Sequence, residues 1–187
     1  MNRRFERSET PLAGLSVLQR APIGDHRGFL ERLFDADELK ALTAGKAIAQ
    51  VNRTLTVKRG SVRGMHFQHP PHTEVKFVTC LRGEVYDVAV DLRRGSPTFL
   101  GWHAETLAAD DQKTLVIPEG FAHGFQTLAE NCELLYFHTA SYRADAEGAL
   151  NARDPKLGIR WPEVITELSS RDESHPMLTG DFAGIVL

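Results

Sequence analysis

Between positions 47 and 142 apolar and polar residues alternate in short runs with a period of two, the pattern of strands with two distinct faces. In the run 84–91, Tyr86, Val88 and Val90 fall on one side, and Val85, Asp87, Ala89 and Asp91 on the other. Leu115, Val116 and Ile117 close at the turn Pro118-Glu119-Gly120, and residues 134–139 form a further run. Breakers at Arg59-Gly60, Pro70-Pro71, Arg82-Gly83 and Arg94-Gly95-Ser96-Pro97 separate these segments. Many short strands at such spacing predict a sandwich or barrel, not alternating strands and helices. One helix is predicted near the start: Asp35 as N-cap, Glu38 three residues on, Leu39 and Leu42 on one side, and Gly45 as the C-terminal stop. Beyond Tyr142 the pattern becomes polar and irregular, with Asp154-Pro155, Trp161-Pro162 and a short helical turn predicted over 163–168. We read 1–187 as a single domain, in which segments 1–46 and 143–187 pack on the barrel.

Composition narrows the partners. The 187 residues carry 42% apolar and 25% charged side chains, ordinary for a globular chain. A net charge of −3 predicts no general attraction to nucleic acid. No stretch approaches the ~18 apolar residues of a membrane span. The basic N-terminus has no apolar run behind it, so no signal peptide is expected and the cytoplasm is the default location. Cys80 and Cys132 lie far apart in apolar runs and are expected as buried free thiols.

Two stretches concentrate chemistry. The first, from Arg63 to Lys76, holds His66, His69 and His72. His69 and His72 flank two prolines and read as solvated turn residues. His66 lies between Met65 and Phe67, so it is either a satisfied core histidine or a functional one. The second stretch, Pro118-Glu119-Gly120-Phe121-Ala122-His123-Gly124-Phe125, is similar to the proline–glycine turn and inward histidine of cupin barrels. Metal-binding cupins place an HxH pair and then a glutamate seven residues before a glycine. Here Lys76 stands seven before Gly83, and Pro70 takes the place of the first histidine. Proline cannot ligate and an ammonium repels a cation, so no metal is expected.

Five stretches in order resemble the dTDP-4-dehydrorhamnose 3,5-epimerase family: 24–29 (GDHRGF), 63–68 (RGMHFQ), 82–91 (RGEVYDVAVD), 94–99 (RGSPTF) and 117–125 (IPEGFAHGF). The resemblance runs from about Gly24 to Trp161 and continues weakly to Asp172. It implies an all-β, cupin-like jelly-roll barrel, a cofactor-free isomerase and a nucleoside-diphosphate-linked 4-keto-6-deoxyhexose as substrate, inverted at C3, C5 or both. It further implies His66 as base, Asp172 as its orienting carboxylate, Lys76 as the cation near the ketone and Tyr136 as the acid on the opposite face. Arg63, His123 and Tyr142 match further pocket positions. Arg27, Glu31, Gln50 and Asn52 match positions near the nucleotide, some of them reaching a neighbouring subunit in a homodimer.

The sequence departs from the family pattern at Phe137, where lysine is usual, at Ser141, where an aromatic is usual, and over 148–151. These changes spare the four catalytic positions and touch the regions expected to shape substrate choice. Strict alternation puts Arg63 and His66 on opposite strand faces, so a bulge near Gly64 or a strand end at Arg63 is required if both enter one pocket. A non-catalytic sugar-nucleotide binder and a metal-dependent cupin oxygenase or isomerase are the alternatives. The intact set of four argues against the first, and Lys76 with Pro70 against the second.

Overall fold

The computed structural model describes residues 3–187. Its strands are β1 (Phe5–Glu9), β2 (Ser16–Arg20), β3 (Ile23–Asp25), β4 (Gly28–Leu30), β5 (Gln50–Thr56), β6 (Val62–Gln68), β7 (Lys76–Arg82), β8 (Glu84–Asp91), β9 (Trp102–Ala108), β10 (Lys113–Ile117), β11 (Phe121–Thr127), β12 (Cys132–His138) and β13 (Glu147–Ala149). They form a six-stranded sheet in the order β1-β2-β10-β7-β12-β5, a five-stranded sheet in the order β13-β6-β11-β8-β9, and the separate hairpin β3-β4. The pairings between these strands are antiparallel.

Both faces of both sheets are buried along much of their length. Val78, Leu115 and Leu134 of the larger sheet meet Val85, Leu107 and Phe125 of the smaller one in the central core. The outer face of the smaller sheet, including Met65, Phe67, Val88 and Val90, is covered by Leu150, Leu157 and Leu178 of the C-terminal segment. The outer face of the larger sheet, with Phe77 and Val116, is covered by Phe34, Leu39 and Leu42. This accounts for the valine-rich run of β8: its two sequence-predicted faces enter two different cores. Truncating a residue as enclosed as Leu115 would cost about 2–5 kcal/mol. Cys80 and Cys132 are free and buried, and desolvation pushes the Cys80 thiol up to about 12.

Two predicted helical segments take other forms. Asp35 does act as a cap, its Oδ1 accepting from the amides of Asp37 and Glu38 at 3.0 and 3.1 Å. Glu38 does not return the bond; its carboxylate accepts from the Arg4 amide at 3.1 Å. The segment then proceeds as successive turns, broken by Ala44 at φ 53° and Gly45 at φ 76°. So short a segment cannot propagate a helix alone, and docking Leu39 decides its path.

The turn predicted over 163–168 is extended instead. The Thr166 amide donates to Gly60 O at 3.0 Å and the Val62 amide to Glu167 O at 2.9 Å. β13 covers β6 only from His66 onward, so this segment supplies the bonds that the start of β6 would otherwise lack. The helix of this region is the single turn α1 (Ser170–Glu173), whose N-cap Ser169 accepts from the Asp172 amide at 3.0 Å.

Candidate active site

The required irregularity lies at Gly64. The register between β6 and β11 shifts between His123 and Phe125, and Gly64 has φ 132°, a region open to glycine alone. A Cβ on Gly64 would meet the Gly124 Cα at 2.5 Å, so the two strands approach through a pair of glycines. The bulge turns Arg63 and His66 into the same cavity, and Arg63 Nε donates to Thr56 Oγ1 at 2.9 Å.

His66 sits opposite His123 in the β6–β11 ladder. Its Nε2 lies 2.8 Å from Asp172 Oδ1. The second Asp172 oxygen accepts from the Gly64 amide at 3.3 Å. Burial opposes ionisation of Asp172, but the His66 hydrogen bond and charge, the Gly64 amide and Arg171 outweigh it and bring the carboxyl down to about 2. A proton on Nε2 donated to this carboxylate leaves Nδ1 with the lone pair of a base. His123 Nε2 is similarly held, 2.7 Å from Oδ1 of the fully buried Asp87.

The facing wall belongs to the larger sheet. Asn52, Lys76, Tyr136 and His138 line the cavity from β5, β7 and β12. Lys76 Nζ donates to His66 O at 3.4 Å and lies 3.3 Å from Glu74 Oε1. Tyr136 is 8% exposed, and burial first, with the Asp87 charge behind it, drives its phenol well above the ordinary value. It therefore stays protonated. The cavity holds about 740 Å³, and an adjoining one of about 550 Å³ shares Asn52, His66, Lys76 and His138 with it. Such volumes suit a ligand of drug size or larger.

Seven of the eleven residues singled out from the sequence thus converge on one cavity: Arg63, His66, Lys76, Asn52, His123, Tyr136 and Asp172. Gln50 and Tyr142 line the adjoining cavity, where the Tyr142 amide donates to Gln50 Oε1 at 2.9 Å. Arg27 and Glu31 lie elsewhere in the chain. Arg27 stands at the tip of the β3-β4 hairpin with its side chain 79% exposed, paired to Asp25, and Glu31 pairs with the buried Arg20 at 2.8 Å. His69 and His72 line neither cavity, as read.

The sequence reading missed Asp87, Glu74, His138, Arg171 and His175. Two had visible signals: Asp87 is a carboxylate inside an apolar strand, and His138 follows Tyr136 by two, on the same strand face. The ligand atoms of His66, Asp172 and His175 lie within 4.8 Å of one another, a spacing open to a metal ion. The Arg171 guanidinium, 3.2 Å from His66 Nε2 and 3.6 Å from Asp172 Oδ1, opposes a cation there.

Comparisons with known proteins identify relatives of the chain. Residues 9–180 match the family model described as dTDP-4-dehydrorhamnose 3,5-epimerase. The enzyme of that name from Salmonella typhimurium is 38% identical over 171 residues, covering 91% of this chain and 93% of its own. The crystal structure of dTDP-4-dehydrorhamnose 3,5-epimerase from Bacillus anthracis with TDP and PPi bound superposes with a TM-score of 0.89 at 34% identity, covering 93% of this chain and 99% of that one. An epimerase from Legionella pneumophila in complex with dTDP-4-keto-L-rhamnose gives a TM-score of 0.88 at 32% identity, covering 97% and 98%.

Proposed function

The chain belongs to the dTDP-4-dehydrorhamnose 3,5-epimerase family, and on that premise we propose how its cavity works on a nucleoside-diphosphate-linked 4-keto-6-deoxyhexose. The enzyme is an isomerase that inverts carbons beside the ketone. His66 Nδ1 removes an α-proton, and the ionised Asp172 stabilises the resulting imidazolium. The electrons move onto the ketone oxygen, where the Lys76 ammonium meets the developing charge. Tyr136, neutral because it is buried, returns a proton from the other side, and the oxygen's electrons reform the carbonyl. His123, fixed by Asp87, borders the same space and positions the sugar.

One observation carries this reading. His66 projects from one sheet with Asp172 of α1 behind it, and the protonated Tyr136 projects from the other, across a single cavity with Lys76 beside it. Inversion requires removal and return of a proton on opposite faces, and two facing sheets supply that arrangement. A non-catalytic binder has no use for it.

Gln50, Asn52 and Tyr142 flank the approach to the sugar site and suit the nucleotide, and Arg63 and Arg171 bring cations to a diphosphate. Serine at 141 removes an aromatic surface, which supports looser discrimination of the base than in relatives with two aromatics there. We further propose a homodimer in which the exposed β3-β4 hairpin carries Arg27 to the partner's pocket.

The test is proton exchange in heavy water with dTDP-4-keto-6-deoxyglucose. Wild type should place deuterium at C3, C5 or both, and His66→Asn should lose that exchange by more than the ~10²–10⁴-fold typical of a general base, if no other group substitutes. Exchange by the His66 variant at the wild-type rate would overturn the assignment.

A further inference from the structure

The carboxylate behind His66 is carried by a single helical turn. α1 spans four residues, and a turn of that length does not hold itself in place. Its start is fixed by the Ser169 cap. Its end is held by Asn151, a buried residue that lines neither cavity.

Asn151 follows β13 by two residues. Ala149 faces His66 across the β6–β13 ladder. The Leu150 amide donates to Met65 O at 2.9 Å and the Met65 amide to Leu150 O at 3.2 Å. The backbone before Asn151 is thereby tied to the strand that carries the base. From this anchor the side chain turns to the far end of α1. Its Nδ2 donates to Glu173 O and to His175 O, each at 3.1 Å. Its Oδ1 accepts from the Arg153 amide at 2.9 Å, and its own amide donates to Pro176 O at 3.2 Å. Both side-chain amide protons are used, and so is the oxygen.

The end of a helix leaves carbonyls without intrahelical partners. A neutral amide with two hydrogens suits a pair of them, where a carboxylate has no proton to give and an apolar side chain has no donor. Glu173 adjoins Asp172, and His175 is three residues beyond it. The connections therefore close a ring: from β6 through residues 149–150 to Asn151, on to α1, and from Asp172 Oδ1 back to His66 Nε2 on β6. The same clamp places His175. Its ring meets the His66 ring edge-on with centroids 5.6 Å apart, and its Nε2 lies 3.4 Å from Asp172 Oδ1. Residue 151 belongs to a stretch where the chain departs from the family pattern, and its side chain is engaged with the support of the base pair.

We propose that Asn151 is a positioning residue for this reaction: it clamps α1 to the base strand so that Asp172 meets His66 Nε2 at hydrogen-bonding distance. The inference rests on the epimerase reading above. Asn151 touches no reacting atom and acts through Asp172. A displacement of about 1 Å at a catalytic group can cost about 10²-fold in rate, so a modest loosening of α1 is enough to register.

The experiment compares wild type with Asn151→Asp, Asn151→Ala, Asp172→Asn and the double variant Asn151→Ala with Asp172→Asn. Turnover and deuterium uptake are followed with dTDP-4-keto-6-deoxyglucose in heavy water, well below each protein's melting temperature. Asn151→Asp keeps the side-chain volume and the oxygen that receives the Arg153 amide, and loses the two donated bonds. It should lower kcat and deuterium uptake by about 10- to 10²-fold, with KM and dTDP affinity within about threefold of wild type. Asn151→Ala removes the same bonds without adding a charge, should show the same split, and serves if the first variant does not fold. In the Asp172→Asn background, Asn151→Ala should change kcat by less than about twofold, because the carboxylate it positions is already gone. A residue that only supports the fold would lower both backgrounds alike. The proposal is overturned if a folded Asn151 variant keeps wild-type kcat, if KM or dTDP affinity takes the loss, or if the two losses add in the double variant. If wild type neither exchanges nor inverts, the epimerase reading itself falls and takes this inference with it.

Discussion

Removing the carboxylate behind a histidine changes its tautomer and its charge together. Asp172→Asn should therefore lower turnover by about 10²–10⁴-fold while leaving nucleotide affinity nearly unchanged, because Asp172 touches the base and not the nucleotide. A loss confined to KM would sink that role. The same residue has a consequence for stability. Its carboxyl sits at about 2, below the ordinary value, so its contribution is complete above about pH 4 and is lost as pH falls through about 2. Urea unfolding should show the gap between wild type and Asp172→Asn narrowing over that window; a gap constant down to pH 2 would count against a carboxylate stabilised in the native state. Residues with a chemical reason to be where they are were legible: the histidine inside a strand and the lysine in place of a metal ligand; Tyr136 and Asp172 were reached only through the family resemblance. Glu74 was not, because its meaning lies in a pairing with His138 across sixty-four positions of chain that no local pattern announces.

At the scale of elements, period-two alternation located the strands, and a bulge near Gly64 was one of two ways, with a strand end at Arg63, in which Arg63 and His66 could share a pocket. The observed bulge depends on two glycines back to back. Gly64→Ala would place a methyl 2.5 Å from the Gly124 Cα and 2.9 Å from His123 O, both backbone, at a φ that alanine resists. The cost should be on the order of 3 kcal/mol or more, about 6–12 °C in Tm for a chain of this size. The surviving folded protein should also lose activity, since Arg63 and His66 would no longer share the cavity. A variant melting within a degree or two of wild type would show that the bulge is not needed. The segments over 35–45 and 163–168 escaped the sequence reading for a common reason. Each is too short to hold a shape by its own propensity, so its form is set by the surface it covers: the apolar face of Phe77 for one, the unpaired start of β6 for the other.

On the scale of the whole molecule, the proposed homodimer would cover apolar surface that the single chain leaves exposed. β5 is an edge strand whose inner residues Asn52, Thr54 and Thr56 line the cavity, while Val51 and Leu55 on its outer face are 51% and 50% exposed. The β3-β4 hairpin projects with Phe29 at 73% and Leu30 at 67% exposure. A free sheet edge beside exposed apolar side chains invites pairing, and covering each Val, Leu or Phe is worth roughly 1.5–3 kcal/mol. Arg27 lies on this hairpin, so the nucleotide role proposed for it requires that the hairpin reach a neighbouring pocket; Glu31 pairs with the buried Arg20 at the hairpin's base. Light scattering at micromolar concentration should therefore give twice the 20.8 kDa of one chain. Leu55→Asp should shift the protein toward monomer and raise KM, because the partner's Arg27 is lost while His66, Lys76 and Tyr136 stay in place. Arg27→Ala should raise KM to a similar degree without changing the mass. A wild-type monomer at that concentration, or a monomeric Leu55→Asp variant with unchanged KM, would place Arg27 outside the working site.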